Sequence, residues 1–172
     1  MTGFFSSTVG KKYLMGLTGL IWAGFILVHM AGNMLILVSA DAYNQYGHAI
    51  VSNKILLYGT EIVLILSLIV HVCLAINLTI KNRAAKGTTP TRHTNGEKRT
   101  SLASRTMIIQ GTIVLVFIVT HLLTFKYGHF YETTVDGVKM RDRAKLSQEI
   151  FSNAGVVGWY VGSLLLLVAH LS

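Results

Sequence analysis

A chain of 172 residues that is 52% hydrophobic and only 13% charged, with a mean hydropathy of +0.55, lies outside the usual range of water-soluble domains. Its net charge of +8 does not mark a nucleic-acid binder, because most of the 15 Lys and Arg flank apolar runs, where membrane topology accounts for them. A single cysteine, Cys73, excludes an intrachain disulfide and a cysteine-ligated metal site, and its place in an apolar run reads as a small core residue.

The first ten residues form a Ser/Thr-rich lead-in whose Phe4 and Phe5 suit the headgroup level, and Lys11 and Lys12 mark the water boundary. Span I (residues 13–38) contains an apolar run long enough to cross about 30 Å of hydrocarbon and too long for a cleaved signal, so it reads as a permanent helix. His29 lies within it, and an ionisable side chain at that depth is expected to face protein and carry function. A connection follows with Asp41, Tyr43, Asn44, Tyr46 and His48. Span II (55–80) holds Glu61 and His71 and ends on the basic Lys81, Arg83 and Lys86. Residues 87–100 carry the only proline, Pro90, with Arg92, His93, Lys98 and Arg99, and read as a polar loop. Span III (107–125) contains His121; a mixed-charge polar segment (126–149) with His129 leads to span IV (152–172), which contains His170. The expected fold is all-α, a single integral membrane domain built as an up-down bundle of four spans.

Orientation follows from charge. Lys11, Lys12 and the basic run from Lys81 to Arg105 fall on one side, opposed by Glu97 alone, while the other side is nearly balanced. The excess of basic residues places that side, with the N-terminus, in the cytoplasm.

Depth follows from the helical rise of 1.5 Å per residue. His29 and His121 lie about 25 Å and about 24 Å beyond the cytoplasmic boundary charges Lys12 and Arg105, in the outer half. His71 lies about 15 Å above Lys81, and His170 about 27 Å down from Ser152, both in the inner half. In an up-down bundle spans I and III are diagonal, as are II and IV, so each same-level pair faces across the interior. Two imidazoles so placed suit the axial positions of an iron porphyrin, and two strong nitrogen ligands favour electron transfer over oxygen chemistry. Gly16, Gly19, Gly24, Gly32, Gly111, Gly155, Gly158 and Gly162 would let a macrocycle approach the backbone, and would equally serve close helix packing. His93 and His129 read as solvated.

The residues around these histidines, SSTVGKKYLMGLTGL leading to HMAGN, YNQYGHAI, EIVLILSLIVHVCLAINLTIKNRAA, and ASRTMIIQG followed by THLLTF, resemble the diheme cytochrome b membrane subunit of succinate:quinone oxidoreductases and fumarate reductases. The resemblance spans nearly the whole chain, with residues 126–149 contributing least. It implies two b haems, a distal one ligated by His29 and His121 and a proximal one by His71 and His170. It also implies flavoprotein and iron-sulfur subunits docked on the cytoplasmic side and electron exchange with a membrane quinone, menaquinone rather than ubiquinone. No dicarboxylate chemistry is expected on this chain. The family has a fifth span after the last ligand, whereas this sequence stops two residues past His170; it is expected to be a fragment, which puts retention of the proximal haem at issue. Some fumarate-reducing members carry a carboxylate just before the second proximal ligand; Leu167, Val168 and Ala169 stand there and argue against that proton route.

A quinone headgroup needs hydrogen bonds and a proton path, and the candidates are Asn33, Asn44, Tyr46, His48 and Glu61, with Tyr43 beside them. Boundary tyrosines also act as aromatic anchors, and His48, Asn33 and Glu61 each have a structural reading as interfacial or hydrogen-bonding residues. Haem propionates would seek Lys11, Lys12 or Lys81. Two other readings stay open: another transmembrane diheme cytochrome b of the ascorbate-reducible type, and a haem-free anchor or transporter in which the histidines form a proton relay.

Overall fold

The computed structural model describes residue 3, residues 7–86 and residues 102–171. Phe4, Phe5 and the Pro90 loop with His93 lie outside the described residues. Among the described residues the fold is all-α in class and 84% helical, with four helices long and apolar enough to cross a membrane: Thr8–Leu37, Lys54–Asn82, Thr106–Lys126 and Ala154–Leu171. The chain falls into two units, Met1–Thr89 and Pro90–Ser172.

In the first unit α1 (Thr8–Asn33) starts where the Ser7 hydroxyl accepts from the Gly10 amide at 3.0 Å, satisfying one of the amides a helix start leaves open. It tightens into a 3₁₀ turn, Met34–Leu37, and Ser39 caps α2 (Ala40–Ser52) through the Ala42 amide. The connection between the first two spans is therefore itself a helix, because a Ser cap with Asp41 in the first turn starts one there. Asn53 closes α2 and caps α3 (Lys54–Lys86) with its side chain on the Leu56 amide, so one residue turns the chain between helices. At 33 residues α3 is about 50 Å long, more than the hydrocarbon thickness, and its basic end projects beyond the span.

Helices α1 and α3 pack antiparallel in a steady register. Lys11 Nζ donates to Asn77 Oδ1 at 3.0 Å near one end, Thr18 meets His71 further on, and Val28 and Ile55 line the same groove at the other end. Cys73 is exposed on α3, not a core residue: an apolar face turned to lipid needs no protein cover, so an apolar run does not imply a core.

In the second unit α4 (Leu102–His121) runs into a π-helical turn, Leu122–Lys126, in which the Tyr127 amide reaches back five residues to the Leu122 carbonyl. The polar segment that follows has structure of its own. Strands β1 (Glu132–Val135) and β2 (Val138–Arg141) form an antiparallel hairpin, and α5 (Arg143–Phe151) is capped by Asp142 on the Lys145 amide. The hairpin turn is Asp136–Gly137, both in the left-handed region (φ 49° and 77°), the conformation that a two-residue hairpin loop demands. Val135, Met140, Ala144 and Leu146 are buried beneath it. Asn153 caps α6 (Ala154–Leu171) through the Gly155 and Val156 amides. Helices α4 and α6 are antiparallel, with Thr120 beside Trp159, His121 beside Tyr160 and Gly111 beside His170.

Candidate cofactor-ligand site

Each unit contains two of the four span histidines, at two levels. In the first, His71 packs against α1 at Thr18 and Gly19, so His29, eleven residues beyond Thr18, stands about 16 Å further along α1. In the second, His170 packs against Gly111, and His121 stands ten residues beyond it, about 15 Å along α4.

The surroundings of His71 show that Nδ1 carries a proton. Nδ1 lies 3.2 Å from the Met15 carbonyl oxygen and 3.1 Å from the Thr18 hydroxyl. A carbonyl only accepts, so the contact with Met15 assigns the proton to Nδ1. The Thr18 hydroxyl is already directed to the Leu14 and Met15 carbonyls of its own helix, at 3.0 and 2.9 Å, so it too accepts from the ring. With its proton on Nδ1, His71 presents the Nε2 lone pair, the form that binds a metal. Gly19 lets the ring in: a Cβ there would lie 3.5 Å from His71 Cε1. At Gly111 the fit is tighter, 3.1 Å to His170 Cε1, so this ring occupies the space a side chain would need.

The other two histidines sit among aromatic rings. His29 is exposed and stacked on Phe25, with centroids 5.2 Å apart and an interplanar angle of 23°. His121 is half-buried among Phe117, Phe125 and Tyr160, with the Tyr160 hydroxyl 3.4 Å from Nδ1. The Trp159 indole donates to Thr120 at 3.2 Å, tying α6 to α4 one residue before the histidine. Phe25 also lines an apolar groove of about 600 Å³ between α1 and α3, floored by Gly24 and Gly59.

Among the quinone candidates, Tyr43 donates to Asn33 Oδ1 at 3.3 Å, and Tyr46 lies against Gly32, where a Cβ would come within 2.7 Å of its hydroxyl. Asn44 is 2% exposed and belongs to the packing of α2. His48 Nε2 lies 3.3 Å from Ser52 Oγ on its own helix, and Glu61 is half-buried in the second turn of α3. The structure therefore brings Asn33, Tyr43 and Tyr46 together at the α1–α2 junction. His129 is exposed beside Tyr131, 4.6 Å between centroids.

Sequence reasoning missed Thr18, Met15 and Tyr160 as partners of the histidines. The LTGL motif contains Thr18, but only the α1/α3 register brings it to His71. Among the described residues no three His, Cys, Asp or Glu side chains cluster as a metal site; an iron already held by a porphyrin asks the protein for two. No family model matches the chain, and no curated protein or solved structure is matched by it.

Proposed function

We propose that this chain is the membrane cytochrome b subunit of a succinate:quinone oxidoreductase, holding two b haems by paired histidines. His29 and His121 would ligate the outer haem, and His71 and His170 the inner one. The observation that carries the reading is the His71 site: a Nδ1 proton held by a carbonyl and a hydroxyl, a lone pair on Nε2, and a glycine that admits the ring. The Gly111–His170 contact supports the second inner ligand in the same way. A haem held by two of these imidazoles would supply one-electron transfer. The chain's own part is to orient the imidazoles, exclude water with apolar spans, and leave glycines where a planar group needs backbone access.

Electrons would pass between an iron-sulfur subunit, docked with a flavoprotein subunit on the cytoplasmic side, and a membrane quinone, menaquinone by the resemblance. Asn33 and Tyr43, with Tyr46 beside them, offer donors and acceptors suited to a quinone carbonyl near the His29 level, and His48 lies on the same helix as the two tyrosines. The chain would sit in the cytoplasmic membrane with its N-terminus inside. The test is a dithionite-reduced minus oxidised spectrum with pyridine haemochrome quantitation on the protein extracted with its neighbouring subunits. Two b haems per chain and a copurifying flavoprotein and iron-sulfur protein are expected; a haem-free chain would overturn the proposal, and haem without those partners would move it to another diheme cytochrome b.

A further inference from the structure

The outgoing helices of the two units share a spacing. Thr18 and Gly19 stand eleven and ten residues before His29; Gln110 and Gly111 stand eleven and ten residues before His121. The incoming histidine docks at the same place in each. The Cβ position of Gly19 is 3.5 Å from Cε1 and 3.9 Å from Nδ1 of His71, and that of Gly111 is 3.1 Å from Cε1 and 3.8 Å from both nitrogens of His170. In the first unit the residue preceding the glycine, Thr18, accepts from the ring at Nδ1. Its counterpart Gln110 is only 8% exposed, and its Nε2 donates to Thr106 Oγ1 at 2.9 Å. Its Oε1 is buried and has no hydrogen-bond partner among the described residues. An amide oxygen left so in an apolar span costs free energy until a donor reaches it.

We infer that Gln110 is the positioning residue for His170 as Thr18 is for His71: the amide oxygen accepts the Nδ1 proton and directs Nε2 toward the iron. The inference rests on the proposed ligation of the inner haem by His71 and His170. An acceptor on Nδ1–H makes the imidazole a stronger electron donor, which stabilises ferric iron and lowers the reduction potential. Under that ligation both residues would act on the same haem.

The experiment is a potentiometric titration of the α-band in the membrane-extracted complex, for wild type and four variants. Thr18→Val and Gln110→Leu keep the volume and remove the acceptor, and each should raise the potential of the same one of the two haems, leaving the other unchanged. Thr18→Ser should retain the wild-type potential. Gln110→Glu keeps the shape and strengthens the acceptor, so it should shift the same haem downward. A Gln110→Leu protein with both potentials unchanged, or with the other haem shifted, overturns the inference while the haem reading stands; should that variant not assemble, an unmoved potential in Gln110→Glu overturns it equally. A wild-type complex without haem overturns the haem reading itself.

Discussion

At the scale of single residues, the chemistry depends on how closely a ring can approach a backbone. A methyl at position 111 would sit 3.1 Å from the His170 ring, tighter than an ordinary contact, whereas one at position 19 would sit 3.5 Å from His71. Under the proposed ligation, Gly111→Ala should therefore lower the haem-to-protein ratio of the purified protein, and Gly19→Ala should leave it near wild type. At Gly32 a methyl would run into the Tyr46 ring, and Gly32→Ala should destabilise the α1–α2 junction by about 1–3 kcal/mol, read from thermal unfolding in detergent. The four histidines were legible in the sequence because a costly ionisable group in an apolar run stands out. Their partners were not: Thr18 and Tyr160 are ordinary residues in such spans, and only the register of one helix against another brings them to His71 and His121.

At the scale of elements, the segment between the third and fourth spans was the least legible. Its mixed charges read only as a polar segment, yet Asp136–Gly137 is the turn that two short strands require, and Asp142 starts α5. Asp142→Ala should cost about 1 kcal/mol, seen as a lower unfolding temperature and as loss of amide protection confined to α5. The segment is tied across itself in two places. Arg141 donates to the carbonyls of Lys126, Gly128 and His129, and Tyr131 donates to Glu149. The bond to the Glu149 carboxylate holds the Tyr131 phenol above the usual tyrosine pKa, because ionisation would surrender the proton being shared. The tie is thus fully present below the ordinary tyrosine value of about 10 and is lost as pH rises through the raised one. Ultraviolet phenolate titration should show one fewer late-ionising tyrosine in Tyr131→Phe than in wild type.

At the scale of the whole molecule, four apolar helices and the class of fold were plain from composition and span length, since crossing a bilayer leaves few choices of structure. The proposed orientation rests on charge: with spans that alternate in direction, Lys11, Lys12, Lys81 and the basic residues up to Arg105 would share one side. Reporter fusions should place the N-terminus and residue 90 inside and the Asp136–Gly137 turn outside; the reverse pattern would contradict the orientation. The span boundaries moved by a few residues, and the helix between the first two spans appeared only in the structure, because a capped amphipathic turn beside a span is masked by its apolar neighbours.

The shared spacing of the two halves has a consequence for assembly. Each half contains a pair of antiparallel helices, and under the proposed ligation each would bring one imidazole to each iron and complete neither centre alone. Under the proposed ligation the irons would join the half-molecules even where the chain is cut between residues 87 and 101. A gene divided there and expressed as two pieces should yield a spectroscopically complete cytochrome in haem-replete cells and two separable peptides in haem-deficient ones.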